Sequence, residues 1–130
     1  MLRTGILNPA LLSLLARVRH TNLLVVADRG FPFWPQVETV DLSLTDDIPT
    51  VLQVLAAIRF QGIYGQAYMA EEFQSANTPE TRAAFALALD SLSLHYEPHE
   101  AVFKKRIPGA IGLIRTGDTT QYANIILVGA

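Results

Sequence analysis

The chain has 130 residues and a net charge of −2, with 50% of its residues hydrophobic and only 17% charged. It contains no basic block that would bind nucleic acid, and without cysteine it has no disulfide, thiolate nucleophile or zinc–thiolate site. The length predicts one domain, residues 1–130, with a substantial core. The surplus of apolar residues predicts that part of the surface is buried in a homo-oligomer.

No apolar run approaches the ~20 residues that span a bilayer, so we expect no membrane segment. The start of the chain, where Arg3 precedes the apolar run 11–16, shares features with a signal peptide. Asn8 and Pro9 interrupt this opening, and they are better explained as the N-cap and first residue of a helix. We therefore expect a cytoplasmic protein.

Hydrophobic periodicity and turn residues predict helices and strands that alternate along the chain. The helix that starts near Pro49 has its cap candidates in Thr45, Asp46 and Asp47. Alternation of this kind is typical of a layered α/β fold. Helices are predicted at 9–18, from about 49 to the break at Gly62, at 79–92 and shortly after Pro98, and strands at 22–27, 37–42, 63–70, 94–97, 111–115 and 124–128.

One stretch places ionisable side chains at both ends of a strand. His20 stands before the apolar run 23–26 and Asp28 stands after it, and Gly30 with Pro32 ends the strand. Ionisable residues at strand ends, followed by glycine-containing loops, are common in the active sites of α/β enzymes. The alternative interpretation is a helix-to-strand turn followed by a capped loop.

Two other stretches admit more than one interpretation. The aromatic loop 31–35, stiffened by two prolines, is expected to pack against the core or a neighbouring subunit, or to stack on the face of a sugar. Glu71 and Glu72 follow a predicted strand, in which adjacent side chains point to opposite faces, so they are poorly placed as an acid–base pair. We expect both to be solvated.

The sequence lacks the motifs of most catalytic chemistries. None of the three histidines, His20, His95 and His99, has a partner at a spacing typical of zinc sites. There is also no nucleophile elbow and no phosphate-binding loop. After these exclusions, the chemistry that the sequence still allows is acid–base catalysis on a small polar molecule.

The end of the chain offers a pair of groups for such a molecule. Tyr122 and Asn124 are two residues apart on a predicted strand, so both face the same way while Ala123 faces the other. A phenol and a carboxamide side by side can each donate and accept hydrogen bonds, which suits a ligand hydroxyl. The alternative is a capping asparagine beside a half-buried tyrosine.

Together these residues resemble the ribose pyranase and fucose mutarotase (RbsD/FucU) family over nearly the whole chain. The segment 41–55 resembles the ribose branch more than the fucose branch. Two positions depart from the family pattern. Asn22 replaces a frequent acidic residue, and His99 is in register when counted from Tyr96 but one residue early when counted back from Phe103. The matching motifs are His20-Thr21, Asp28 with Gly30 and Pro32, His99-Glu100 before Phe103-Lys104-Lys105, Ile114-Arg115-Thr116-Gly117, and Tyr122-Ala123-Asn124-Ile125-Ile126-Leu127.

The resemblance implies both a fold and an activity. The fold is a single three-layer α/β/α domain around a mixed, largely parallel central sheet. The activity is that of an isomerase, a sugar mutarotase that interconverts the pyranose and furanose forms of D-ribose without cofactor or metal. The alternatives are an L-fucose mutarotase that exchanges anomers and, from another class, a non-catalytic sugar-binding subunit that accompanies a transporter.

The resemblance also implies the site. His20 is expected to be the catalytic acid and base, and an imidazole pKa of ~6.5 suits both roles. Asp28, His99 and the segment Tyr122–Asn124 are expected to bind the sugar. The assembly is expected to be ring-shaped and often decameric.

The length of the first strand bears on this site. If the segment from Thr21 to Ala27 is extended, it separates His20 from Asp28 by roughly 23–27 Å at ~3.3 Å per residue. A monosaccharide is much smaller than that. Unless the strand is short or bent, each active site takes the two residues from different subunits, so we predict sites shared within a closed homo-oligomer.

Overall fold

A mixed sheet of six strands forms the centre of the computed structural model, which describes residues 1–130. The strands are β1 Leu23–Ala27, β2 Thr39–Asp41, β3 Tyr64–Ala70, β4 Ser93–Glu97, β5 Ala110–Arg115 and β6 Ile125–Gly129. Their order across the sheet is β2-β5-β1-β6-β3-β4. Five strands run in one direction, and β6 is antiparallel to its neighbours β1 and β3. The predicted α/β class and the largely parallel sheet are confirmed.

Helices cover both faces of the sheet, but unequally. The longer helices α1, α2 and α4 pack on one face, while short helical turns and the loop after β1 cover the other. The predicted three layers are therefore present, with a thin second outer layer. No helix combines the length and apolar character needed to cross a bilayer. The helical segments are α1 Pro9–Arg17, α2 Val51–Gln61, α3 Glu72–Ala76, α4 Pro79–Ala88, the π-helical turn His99–Phe103, α5 Lys104–Arg106 and the 3₁₀ turn Ile107–Gly109.

Alternate residues of the central strands supply two separate hydrophobic clusters. Leu24 and Val26 of β1 point to the face covered by the long helices, whereas Val25 and Ala27 point to the opposite face. Four consecutive buried side chains match a strand that is covered on both sides. The larger cluster has 19 buried residues and the smaller one 8, so the long helices supply most of the core.

The lack of a side chain at Gly112 in β5 lets α1 pack closely on the sheet. Leu14 of α1 is fully buried, and a Cβ at position 112 would lie 2.5 Å from its Cδ1. Any larger residue there would force the Leu14 side chain to shift. α1 is followed closely by His20, so this packing contributes to the position of His20.

The helix caps agree with the sequence for α1 but not for α2. Asn8 Oδ1 accepts a hydrogen bond from the Leu11 N–H at 2.9 Å, as predicted. The prediction that one of residues 45–47 caps α2 is wrong, because Thr50 does so. Thr50 Oγ1 accepts from the Gln53 N–H at 3.1 Å, and Gln53 Oε1 accepts from the Thr50 N–H at 2.9 Å, which forms a capping box.

Removing the Thr50 hydroxyl tests this cap. Thr50→Ala leaves the Gln53 N–H without its partner, so we expect the free energy of unfolding to fall by about 1 kcal/mol. Thr45→Ala, at an exposed position that sequence alone favoured as a cap, is the control and should change this free energy by less than about 0.5 kcal/mol. Urea unfolding followed by circular dichroism at one protein concentration measures both. Equal losses in the two variants would contradict the capping box.

Candidate active site

A cleft lies at the edge of the sheet where the parallel strands end. Its volume is about 530 Å³, within the ~300–1,000 Å³ common for small-molecule sites. The loop after β1, the helical turn after β4 and the segment before β6 enclose it. This edge of an α/β sheet is where ligands usually bind. The lining residues are Asp28, Gly30, Phe31, Pro32, His99, Lys104, Gln121, Tyr122 and Asn124.

Asp28 is the first residue after β1, and its loop folds back around it. Its N–H donates to Asn124 Oδ1 at 2.8 Å, and its own Oδ1 accepts from the Gly30 N–H at 3.0 Å. Burial raises the pKa of the Asp28 carboxyl, although the hydrogen bonds that it accepts and the charge of Arg115 partly oppose this rise. Asp28 therefore keeps a proton to higher pH than an exposed aspartate does.

Arg115, the last residue of β5, shapes the loop that follows β1. Its guanidinium donates to the carbonyl oxygens of Asp28, Arg29 and Pro32 at 3.1, 3.3 and 3.2 Å. Arg115 and Ala27 are register partners in neighbouring parallel strands, so the arginine side chain reaches the loop as it leaves the sheet. The sequence placed Arg115 only at a strand end, because its partners depend on which strands are neighbours.

His99 is enclosed by aromatic rings, and one of its ring nitrogens has no partner. The residue is 8% exposed. Its ring stacks on Phe103 and meets Phe31 and Tyr122 edge-on, with centroids 5.7, 6.1 and 5.1 Å apart. Nδ1 lies 3.4 Å from Glu100 Oε1, whereas the buried Nε2 makes no hydrogen bond. Such atoms are rare, and this one belongs to a side chain that lines the cleft.

Tyr122 and Asn124 both line the cleft, but not for the predicted reason. The last strand begins only at Ile125, and Tyr122 has φ = 54°, in the left-handed region. A tight turn rather than strand alternation therefore orients the pair. Ala123 between them is fully buried in the larger hydrophobic cluster. Its side chain therefore cannot contact a sugar, and only its backbone groups could do so.

His20 lies at the opposite edge of the sheet from the cleft. It is exposed and lines a separate groove of about 490 Å³ together with Leu12, Leu15 and Tyr64, among others. The five residues of β1 that separate it from Asp28 span roughly 16 Å at ~3.3 Å per residue. No residue lines both the groove and the cleft, so one chain does not bring His20 together with the other predicted site residues.

A tight turn holds His20 at the start of β1. Thr21 has φ = 67°, which is unusual for a β-branched residue, and Asn22 Oδ1 accepts from the Arg19 N–H at 2.8 Å. The Thr21 N–H donates to the carbonyl oxygen of Gly129 at 2.9 Å. Position 129 has no room for a Cβ, because the Arg19 carbonyl oxygen lies against it. Asn22, which departs from the family pattern, thus shapes the turn that carries His20.

The three histidines lie in three different places and do not share a metal site. His20 lines the groove, His99 lines the cleft, and the ring of His95 stacks on Tyr68 with centroids 5.1 Å apart. No group of three or more histidine, aspartate or glutamate side chains is placed to hold a metal ion.

The aromatic loop 31–35 packs against the core, as expected. Phe31 is 5% exposed and belongs to the smaller hydrophobic cluster, and Trp34 lies beside it with ring centroids 6.4 Å apart. Phe31 and Pro32 also line the cleft, so the loop forms part of its wall. Phe33 is 70% exposed.

Several residues at the cleft were not predicted from the sequence. Lys104 and Gln121 line it, and Lys104 Nζ donates to Glu100 Oε1 at 2.7 Å. The position of Lys104 on the same short helical stretch as His99 is the signal that points to it.

The expectation that Glu72 is solvated is wrong, because both of its carboxylate oxygens accept the His99 N–H at 3.1 Å.

The fold and the cleft together define a class of protein. A polar, partly aromatic cleft with titratable side chains at the carboxyl edge of an α/β sheet is typical of a protein that binds and transforms small molecules. The family model described as the RbsD / FucU transport protein family matches residues 1–130. The chain belongs to this family.

Relatives of known structure or activity match the whole chain. The D-ribose pyranase of Bacillus licheniformis is 39% identical over 127 residues, which cover 98% of this chain and 95% of that protein. The D-ribose pyranase of Halalkalibacterium halodurans is 38% identical with the same coverage. The structure of Bacillus subtilis RbsD complexed with D-ribose matches with a TM-score of 0.92 at 32% identity, over 100% of this chain and 98% of that one. The similarity includes both edges of the sheet.

Replacing Asp28 by asparagine tests the effect of burial on this carboxyl. Folding raises its pKa above the ordinary value of 3.8, so ionised Asp28 opposes folding at neutral pH. We expect Asp28→Asn to be more stable than the wild type at neutral pH. The difference should shrink as the pH falls through the raised pKa and vanish below about 3.8. Thermal unfolding from acid to neutral pH measures it.

Asp41→Asn is a control of opposite sign for the same experiment. The hydroxyl and N–H of Ser43 donate to Asp41 and lower the pKa of its carboxyl. This variant should therefore be less stable than the wild type at neutral pH, and the loss should disappear as the pH falls through the lowered pKa. A shift of both variants in the same direction would contradict the burial argument for Asp28.

Proposed function

We propose that this protein is a D-ribose pyranase, an isomerase that interconverts the pyranose and furanose forms of D-ribose without a cofactor. The observation that carries the proposal is the convergence of Asp28, His99, Tyr122 and Asn124 in one cleft. Carboxyl, imidazole, phenol and carboxamide groups together donate and accept hydrogen bonds, as a sugar with several hydroxyls requires. The two relatives called D-ribose pyranase and the ribose-bound neighbour support the same substrate.

The reaction consists of two proton transfers in each direction. On opening, the anomeric hydroxyl loses its proton to a base and the ring oxygen gains one, while the bond between that oxygen and the anomeric carbon breaks. The product is the open-chain aldehyde. On closing, a different hydroxyl attacks the aldehyde carbon and loses its proton, and the carbonyl oxygen gains one. Attack by the hydroxyl on C4 rather than C5 turns the pyranose into the furanose.

His20 is the group that we assign to these proton transfers. Its imidazole is exposed, and histidine is the side chain that most often serves as a general acid and base in enzymes. Asp28, His99, Tyr122 and Asn124 hold the sugar hydroxyls, with His99 Nε2 free to accept or donate one hydrogen bond. The partly buried Asp28 carboxyl lines the cleft, where it can accept a hydrogen bond from a sugar hydroxyl.

In this proposal His20 reaches the sugar from another subunit. The cleft of one chain and the His20 groove of a second chain form one site, across a heterologous interface that closes into a ring. Two side chains favour contact between these surfaces. Phe33, 70% exposed, lies next to the cleft, and Ile63, 81% exposed, lines the groove. The decameric assembly and the cytoplasmic location remain predictions.

Exchange NMR on equilibrated D-ribose tests the activity. We expect the wild-type protein to speed magnetisation transfer between the pyranose and furanose signals. His20→Ala should slow this transfer by about 10²–10⁴-fold, the usual contribution of a general acid–base group, and should leave most ribose binding intact. His95→Ala is the matched control, because His95 is exposed and lies outside both the cleft and the groove.

Two outcomes would contradict the proposal. Ribose binding without faster exchange in the wild type would make the protein a sugar-binding subunit rather than an enzyme. Exchange confined to the anomers of L-fucose would assign a different substrate.

Mixed oligomers test whether the site is shared. Subunits carrying His20→Ala and subunits carrying Asp28→Ala, both expected to be nearly inactive alone, are co-expressed and purified through two different tags. A site that pairs the intact His20 of one subunit with the intact Asp28 of the other is complete, so random pairing should restore about a quarter of the wild-type rate. Mixed oligomers as inactive as the two parents would show that His20 and Asp28 do not act across an interface.

A further inference from the structure

The strands that lead to His99 also bring Glu72 beside it. β3 and β4 are parallel neighbours, and their last residues, Ala70 and Glu97, are register partners. Glu72 and His99 each follow two residues later, so they leave the same edge of the sheet side by side. The Glu71 N–H donates to the Glu97 carbonyl oxygen at 2.8 Å and ties the two strand ends together.

The Glu72 carboxylate completes the hydrogen bonding of the turn that contains His99. Both carboxylate oxygens lie 3.1 Å from the His99 backbone nitrogen. His99 begins a helical turn, whose first N–H groups have no carbonyl partner within the turn, and the preceding Pro98 has no N–H. A negative charge at this end is also stabilised by the dipoles of the turn. Glu72 forms no ion pair with any lysine or arginine, so the His99 N–H is its bonding partner.

The position of this turn decides where the His99 ring lies. The ring is held between Phe103, Phe31 and Tyr122, and these contacts leave it little freedom of its own. A displacement of the backbone at residue 99 therefore moves Nε2, the buried ring nitrogen without a partner. Hydrogen bonds to a ligand weaken steeply with such displacements.

We propose that Glu72 is a positioning residue for sugar binding, whose carboxylate holds the His99 turn so that the His99 ring keeps its place at the cleft. The inference rests on the proposed function, because a sugar hydroxyl is the partner that we assign to Nε2. Glu72 itself does not line the cleft, so it acts only through His99. The residue before it, Glu71, is exposed and its side chain makes no hydrogen bond, which makes it the matched control.

Three variants test the proposal: Glu72→Ala, Glu72→Gln and Glu71→Ala. Glu72→Ala removes a charge-assisted hydrogen bond, and we expect Kd and KM for D-ribose to rise about tenfold while kcat changes less than about threefold. In the amide NMR spectrum the His99 N–H should move upfield and exchange faster with solvent. Glu72→Gln keeps an acceptor oxygen and should restore most of the affinity, and Glu71→Ala should behave as the wild type.

The outcomes separate positioning from a merely structural role. Wild-type ribose affinity in a folded Glu72→Ala protein would overturn the proposal, and so would a loss of kcat at unchanged KM. If Glu72→Ala does not fold, Glu72→Gln decides, and a large loss of ribose affinity while the His99 amide signal stays at its wild-type position would overturn the proposal. If the wild type binds no ribose, the proposed function fails, and the His99 amide signal, which needs no sugar, still reports whether Glu72 holds the turn.

Discussion

The common direction of five strands is the constraint on which the candidate site depends. Their carboxyl ends meet at one edge of the sheet, and the antiparallel β6 starts at that same edge. Asp28 after β1, His99 after β4 and Asn124 before β6 are therefore brought together although they lie far apart along the chain. The hydrogen bond from the Asp28 N–H to Asn124 is the direct result. A different strand order would disperse these side chains.

The same constraint separates His20 from the cleft. His20 precedes β1, so it lies at the edge where the parallel strands begin. Four of the five residues of β1 are buried, and a close-packed interior does not let such a strand bend to bring its ends together. Each chain thus carries two surfaces, a cleft and a groove, at opposite edges of one sheet. Under the proposed function the smallest catalytic unit is a pair of chains.

Three residues near the cleft and the groove have local features that are energetically unfavourable. The pKa of Asp28 is raised by burial, His99 Nε2 has no hydrogen bond, and Thr21 next to His20 adopts a left-handed conformation. Unfavourable local features of this kind collect where proteins bind ligands, and the surrounding structure has to support them. Arg115 binds three carbonyl oxygens of the loop after β1, and the Glu72 carboxylate binds the turn after β4. These contacts give the cleft a rigid frame.

Local patterns in the sequence by themselves determined most of the helices and strands, because caps and periodicity act within a few residues. Asn8 predicted the start of α1, and the number of residues between His20 and Asp28 already placed them too far apart for one sugar. The motifs that resemble the family also pointed to the side chains that line the cleft. Only the tertiary structure decided the partners of Glu72 and Arg115, which the sequence left as strand-end residues. Their contacts join segments that are distant along the chain, and such contacts depend on which strands are neighbours, a property that no local pattern encodes.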